Sequence, residues 1–119
     1  MKLFLDDIRQ PYDVFRLNMD LDYYKNSEWN IVKSYSEFVD FISKNDIPNM
    51  VSFDHDLSYE HYLPKNQENI DYDDIEEKTG YDALKWMVEY CKKENKSIPT
   101  IKFHTQNTEG EKNMKKLLL

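Results

Sequence analysis

Four short apolar segments recur along this chain, separated by polar and turn-forming residues. They cover residues 3–5, 29–33, 50–53 and 100–104, and each has the length typical of a buried strand. Longer segments with helical patterning lie between and after them. This alternation predicts one domain of the α/β class, a three-layer sandwich around a short, mostly parallel four-stranded sheet.

Three helices are predicted from their first turns and from the spacing of their apolar residues. They begin at Ser34, Thr79 and Thr108, and an acidic residue stands three positions after each, as in a capping box. The clearest apolar stripe lies on the second of them, at Leu84, Met87, Val88 and Cys91. A shorter helix is expected at residues 14–18, followed by an irregular loop.

The composition indicates a small acidic protein with a packed interior. The chain has 119 residues, including nine Tyr, six Phe and two Trp, and a net charge of -7. This charge argues against an extended nucleic-acid-binding face, which needs clustered Lys and Arg. No apolar run approaches the roughly 20 residues of a membrane helix, and Cys91 has no second cysteine to pair with. We therefore expect a cytoplasmic protein without a membrane segment; a protein partner stays unknown.

Side chains capable of chemistry follow three of the predicted strands. They are Asp6, Asp7 and Arg9 after the first, Asp54, His55 and Asp56 after the third, and His104, Thr105 and Asn107 after the fourth. The carboxyl ends of parallel strands meet at one edge of a sheet, where ligands of α/β proteins bind. Clustered carboxylates repel one another unless a cation neutralises them, and their oxygens suit Mg²⁺ or Mn²⁺. The predicted metal ligands are Asp6, Asp7, Asp54 and Asp56, although Asp7 or Asp56 alone could instead cap a helix or pair with Arg9.

A small anionic phosphate or nucleotide is the expected ligand of such a site. The residues predicted to contact it are Arg9, Thr79, Gly80, Thr105, Asn107 and Gly110. Both glycines fall in the first turn of a predicted helix, where a ligand can approach free backbone N–H groups. The alternative is that each glycine only eases a tight entry into its helix.

The predicted catalytic residues are Asp54, His104 and His55. His104 could act as general acid or base among metal-bound carboxylates, or it could be a buried, hydrogen-bonded core residue. Strand alternation would point His55 away from its two aspartate neighbours. His61 lies in an acidic segment and is expected to be solvated.

Residues 57–78 interrupt the alternation of strands and helices. This segment carries seven acidic residues against two lysines, and it contains no strong core pattern. It is interpreted as an acidic loop insertion. The two alternatives are a solvated loop and a lid that closes over the site.

Several motifs occur in a fixed order along the chain. They are Leu3-Phe4-Leu5-Asp6-Asp7-Ile8-Arg9-x-Pro11, Trp29-x-Ile31-Val32-x-Ser34-Tyr35, Ser52-Phe53-Asp54-His55-Asp56-Leu57, Thr79-Gly80-Tyr81-Asp82-Ala83 with Lys85-Trp86, and Phe103-His104-Thr105-x-Asn107-x-x-Gly110-x-x-Asn113-Met114. In this order they resemble the cyclic-phosphate processing receiver domains, an offshoot of the response-regulator receiver fold. The resemblance implies a receiver-like, flavodoxin-type sheet and a role in processing cyclic phosphate ends or cyclic nucleotides, in a family often encoded by phages and bacteria.

These residues are compatible with three different functions. The first is a metal-dependent phosphoesterase that uses Mg²⁺ or Mn²⁺, and the second is a non-catalytic module that binds a nucleotide, a phosphate or a protein partner. The third is a phospho-accepting receiver, in which Asp6 and Asp7 match the acidic pair, Asp54 the acceptor and Thr105 the approximate hydroxyl position. The fifth strand and lysine of such receivers have no counterpart here. The Asp54-x-Asp56 spacing also resembles haloacid-dehalogenase phosphatases and Toprim nucleases, whose first strands differ from this one.

Overall fold

The computed structural model describes residues 1–17, 22–25 and 28–119. Within them, strands and helices follow the order β1 (Lys2–Leu5), α1 (Pro11–Leu17), β2 (Trp29–Val32), α2 (Tyr35–Asn45), β3 (Met50–Phe53), α3 (Gly80–Lys93), β4 (Thr100–Phe103) and α4 (Thr108–Lys116). The four predicted strands are all present. Helix α1 begins earlier than expected, and Asn18, at the end of the predicted helix, lies outside the described residues. The irregular loop predicted next falls partly outside them and contains a 3-10 turn at Asp22–Tyr24.

All four strands are parallel, and their order across the sheet is β2-β1-β3-β4. Leu5 pairs with Val32 on one side and with Phe53 on the other, and Phe53 pairs with Phe103, so the strands end at the same edge. The chain runs from β1 outward to β2 and then returns past β1 to β3. A crevice therefore opens beyond the carboxyl ends of β1 and β3.

Successive strand residues point to opposite faces of the sheet. Each face therefore carries apolar side chains, and helices cover both. Leu3 and Leu5 belong to a core shared with α2, α3 and α4, whose buried residues include Phe38, Leu84 and Met114. On the other face, a smaller core is formed by Phe4, Val14, Tyr24 and Trp29. The expected three-layer α/β sandwich is confirmed. Among the described helices, none has both the length and the apolar character needed to cross a membrane.

Side-chain caps begin three of the helices close to where the sequence predicts. The Thr79 hydroxyl accepts the N–H of Asp82, and an Asp82 oxygen accepts the N–H of Thr79, which completes the capping box of α3. The Ser34 hydroxyl accepts the N–H of Glu37 at 3.1 Å at the start of α2. Helix α4 is capped one residue earlier than expected, by Asn107.

Candidate active site

A pocket of about 190 Å³ opens at the carboxyl ends of β1, β3 and β4. Its lining residues are Ile8, Arg9, Asp54, Asp56, Tyr62, Thr105 and Gln106. The residues that directly follow three neighbouring strands therefore meet here, as the sequence predicts for a parallel sheet. Tyr62 comes from the acidic loop at residues 57–78, which thus contributes a wall of the pocket.

Asp6 is buried at the end of β1 and accepts hydrogen bonds from several neighbours. One of its oxygens accepts the backbone N–H groups of Ile8 and Arg9, both at 2.9 Å. The other accepts Arg9 Nε at 3.0 Å and His104 Nε2 at 3.1 Å. Burial would raise the pKa of Asp6, but the hydrogen bonds from His104, Ile8 and Arg9 outweigh burial and lower it. Asp6 is therefore a firmly ionised anion that fixes the direction of Arg9.

Asp54 is a buried acidic residue whose charge is poorly compensated. It is 2% exposed, and one carboxylate oxygen accepts the N–H of His55 at 2.8 Å. Arg9 Nη2 lies 3.6 Å from the other oxygen. Burial and the charge of Asp6 raise the pKa of Asp54 to about 7, against the opposing effects of Arg9 and the Thr105 hydroxyl. The carboxyl group therefore changes its protonation near neutral pH.

The buried side chains of Asp6, Asp54 and His104 could hold a metal ion, since their nearest ligand atoms all lie within 4.8 Å of one another. Asp7 is a second acidic residue, after Asp54, whose charge is poorly compensated. Its Oδ1 is buried and has no hydrogen-bond partner among the described residues. Burial and the neighbouring charge of Asp6 raise the pKa of Asp7. A cation beside Asp54 would offset the charge of that residue, and Asp7 offers a further carboxylate oxygen after β1.

His104 is buried and hydrogen-bonded at both ring nitrogens. Its Nε2 donates to Asp6, and its Nδ1 accepts the hydroxyl of Ser52 at 2.7 Å; Ser52 in turn accepts the hydroxyl of Tyr24. The ring stacks on Phe4 with a centroid distance of 4.2 Å. Burial lowers the pKa of His104 despite the bond to Asp6, so the imidazole is neutral near pH 7. Of the two sequence-based alternatives, the structure favours the hydrogen-bonded core residue.

Sequence reasoning missed Tyr24 and Ser52 as parts of this chain of hydrogen bonds. Ser52 is a polar residue in the middle of a buried strand, and a buried hydroxyl there requires a partner. That signal was available in the sequence. Tyr24 stands in a segment with no readable pattern, so nothing marked it.

His55 is also fully buried and faces away from the pocket. Its Nδ1 donates to Asp56 Oδ1 at 2.8 Å, and its Nε2 accepts the hydroxyl of Tyr72 at 2.8 Å. The same Asp56 oxygen also accepts Asn107 Nδ2 at 3.1 Å, and Gln67 donates to the second Asp56 oxygen at 3.2 Å. Burial would raise the pKa of Asp56, but these hydrogen bonds lower it. The network ties the end of β3 to the acidic loop and to α4.

Four of the residues predicted to contact phosphate do not line the pocket. Thr79 and Asn107 are buried helix caps. The N–H of Gly80 donates to the carbonyl of His55 at 2.8 Å, and the N–H of Gly110 donates to Asn107 Oδ1 at 2.8 Å. The expectation of free glycine N–H groups is therefore wrong for these two residues. These contacts agree with the alternative that each glycine only eases a tight entry into its helix.

The acidic loop folds into three short 3-10 turns, and His61 joins its two ends. His61 is fully buried, which corrects the expectation that it is solvated. Its Nδ1 accepts the N–H of Leu57 at 2.7 Å, and its Nε2 donates to the carbonyl of Glu77 at 2.6 Å. One imidazole thus joins the two ends of the loop, with Asn66 and Ile75 also buried between them.

Replacing His61 with Ala should loosen the loop. The N–H of Leu57 and the carbonyl of Glu77 would lose their partners inside the protein, which costs about 2 kcal/mol or more of the free energy of unfolding. We expect faster protease cleavage within residues 58–77 and a lower denaturant midpoint. Tyr59→Ala, at an 83% exposed position of the same loop, is the matched control and should behave like the unaltered protein. Equal cleavage rates for both variants would show that His61 does not anchor the loop.

Comparison with known proteins agrees with this architecture. The family model described as the cyclic-phosphate processing receiver domain matches residues 1–119, which is the whole printed chain. No curated protein and no solved structure matches the chain significantly. The family match confirms the resemblance seen in the ordered motifs and agrees with the parallel sheet and the acidic residues at its edge. The chain belongs to the cyclic-phosphate processing receiver domain family.

Proposed function

We propose that this protein is a metal-dependent phosphoesterase that opens cyclic phosphates, in cyclic nucleotides or in cyclic-phosphate ends of nucleic acids. The observation that carries the proposal is the environment of Asp54. Its buried carboxyl group forms part of a pocket wall, and its pKa is raised to about 7 because burial and Asp6 outweigh Arg9, 3.6 Å away. Perturbed carboxyl groups in a concave site are typical of functional centres.

Mg²⁺ or Mn²⁺ suits the residues present. Asp6, Asp7 and Asp54 would hold the ion, since Asp7 has a buried oxygen without a partner and Asp54 lacks charge compensation. When bound, the ion would polarise a phosphoryl oxygen and lower the pKa of a water molecule. Asp56 is a poorer candidate than the sequence suggested, because it lies outside the cluster of ligand atoms that Asp6, Asp54 and His104 form.

The remaining pocket residues would bind and orient the phosphate. Arg9 is 23% exposed at its side chain and is held in place by Asp6, so its guanidinium is positioned to donate to phosphate oxygens. The Thr105 hydroxyl donates to Asp54, and once a cation compensates that carboxylate, the hydroxyl would be free to turn and donate to a phosphate oxygen.

Hydrolysis would join a water oxygen to phosphorus, pass a proton of that water to solvent and break one P–O bond of the ring. The hydroxyl group that is released needs a proton. Neither His104 nor His55 lines the pocket, and both imidazoles are buried with their nitrogens engaged. In this scheme the freed hydroxyl therefore takes its proton from solvent, which differs from the role expected for His104 from the sequence.

Phosphorus NMR tests this proposal. The purified protein is incubated with Mg²⁺ or Mn²⁺ and with 2′,3′-cyclic or 3′,5′-cyclic nucleotides, and spectra are recorded after the metal is chelated. We expect a new phosphate monoester signal that does not form when the chelator is present from the start. Arg9→Lys keeps the charge but not the planar fork, so its rate should fall about 10-fold or more. Arg16→Lys, on the exposed side of α1, is the matched control. Absence of a monoester with every cyclic nucleotide would contradict the phosphoesterase proposal.

A second candidate is a non-catalytic module that binds the same ligands. The burial of both His55 and His104 favours it, because the pocket then lacks an imidazole for proton transfer. A change in nucleotide line width that requires both the protein and diamagnetic Mg²⁺, recorded before chelation and without any new phosphorus signal, would identify this module.

A further inference from the structure

Two large side chains that line the pocket are open to solvent. Ile8 is 74% exposed and Tyr62 is 48% exposed, and both line the pocket beside Arg9 and Asp54. A single exposed apolar residue needs no explanation. Two that border the same charged pocket indicate a ligand with an apolar part next to its charged part.

Tyr62 lines the pocket together with Asp54 and Asp56, and 48% of the residue is open to solvent. Burial, together with the charges of Asp54, Asp7 and Asp56, raises the pKa of Tyr62, so its hydroxyl stays protonated. The phenol ring is therefore accessible in the wall of the pocket. Such a ring offers a flat surface beside the place where the phosphate would bind.

Outside the proposed metal site, the charged side chains around the pocket favour a ligand with one phosphate group. Among the described residues that line the pocket, Arg9 is the only one with a positive charge. A larger cleft of about 490 Å³ shares Gln106 with the pocket, and its described lining includes Glu68 and Glu109 but neither Lys nor Arg. A second phosphate would be repelled there, whereas an uncharged group would not.

We propose that Ile8 and Tyr62 form the base-binding wall of a nucleotide site, with the ring of Tyr62 stacked on the base and the single phosphate beside Arg9 and Thr105. This inference rests on the proposed function and specifies its substrate class as a nucleotide with one cyclic phosphate. Stacking on an aromatic side chain tolerates different bases, because every base has a π-face. The wall therefore distinguishes a nucleotide from a bare cyclic phosphate more strongly than it distinguishes one base from another.

The test compares two ligands that share a five-membered cyclic phosphate but differ in the base: adenosine 2′,3′-cyclic phosphate and glycerol 1,2-cyclic phosphate. Dissociation constants are measured by protein NMR titration with Mg²⁺, so binding is detected whether or not turnover occurs. We expect Tyr62→Ala to weaken adenosine 2′,3′-cyclic phosphate by about 10-fold or more and to leave the glycerol ligand unchanged. Tyr62→Phe should retain the affinity for the nucleotide, since it keeps the ring. Tyr59→Ala, on the same loop but outside the pocket lining, is the matched control.

Each outcome separates the base-binding wall from the proposed function. If the unaltered protein binds both ligands with the same affinity, or Tyr62→Ala weakens both equally, the base-binding wall is wrong while the phosphate site stands. If Tyr62→Phe loses as much affinity as Tyr62→Ala, the hydroxyl rather than the ring binds the ligand, and the stacking role is wrong. If neither ligand binds, the proposed function fails together with this inference.

Discussion

Gly80→Ala should be among the most destabilising single substitutions in this protein. A Cβ atom at position 80 would lie 1.8 Å from the backbone oxygen of Asp54, 2.8 Å from its carbonyl carbon and 3.0 Å from the Cα of His55. These are backbone atoms at the end of β3, so no side-chain rotation can relieve the contact. We expect the free energy of unfolding to fall by about 3 kcal/mol or more, above the usual range for a single methyl group. Equilibrium unfolding in denaturant measures it.

The reason for this cost is that α3 starts directly against β3. The N–H of Gly80 donates to the carbonyl of His55 at 2.8 Å, and a methyl group would force this hydrogen bond apart. Glu89→Ala, on the exposed side of the same helix, should change stability by no more than about 0.5 kcal/mol. If the two variants unfold at the same denaturant concentration, the close approach of α3 to β3 is wrong.

The stability of Gly110→Ala can be compared with that of Gly80→Ala. A Cβ at this position would lie 2.5 Å from the ring of His55, a side chain and not backbone. The ring is nevertheless held by Asp56 and Tyr72, so it has limited freedom to move. Gly110→Ala should therefore be destabilising, but less so than Gly80→Ala.

The fold could be predicted because its determinants are local patterns. Short apolar runs, helical stripes and the box formed by Thr79 and Asp82 each involve neighbouring residues, and the parallel sheet follows from their alternation. The same rule brought the residues after β1, β3 and β4 to one edge of the sheet. Asp54, Arg9 and Thr105 line the pocket for that reason.

The partners of individual side chains could not be predicted, because they depend on long-range packing. His104 bonds to Ser52, and Ser52 to Tyr24, across separations of 52 and 28 residues. A sequence pattern gives the face on which a side chain lies but not the atom it meets there. The glycines illustrate the same limit: a small residue in a first helical turn fits either a free N–H group or a close backbone contact, and only the distances decide.

Replacing Asp54 with Asn should make the metal-free protein more stable at neutral pH while abolishing turnover. The native pKa of about 7 lies above the ordinary value of 3.8, so the folded protein holds its proton more strongly than the unfolded chain. Stability from this group is complete below about pH 4 and falls as the pH rises to about 7. The full difference corresponds to on the order of 4 kcal/mol, and Asn, which never ionises, avoids it. At about pH 8 without metal we therefore expect the variant to exceed the unaltered protein by roughly 2 to 4 kcal/mol.

Denaturant unfolding of both proteins at about pH 5 and about pH 8, with a chelator, measures this difference, which should grow with pH. Added Mg²⁺ or Mn²⁺ should stabilise the unaltered protein and have little effect on Asp54→Asn, because a ligand that binds only the folded state stabilises it. Asp40→Asn, which removes a 62% exposed carboxyl group from α2, is the matched control and should follow the unaltered protein. A variant that is less stable than the unaltered protein at both pH values would contradict the raised pKa of Asp54.

A gain in stability together with a loss of turnover would show why an aspartate stands at position 54. A buried carboxyl group with insufficient compensation is unfavourable for folding, and an isosteric amide keeps the acceptor for the N–H of His55. An electrostatically costly group of this kind is typical of functional sites, where activity and stability make opposite demands. Retained turnover in the more stable variant would instead mean that Asp54 does not hold the metal, and Asp6 and Asp7 would have to do so without it.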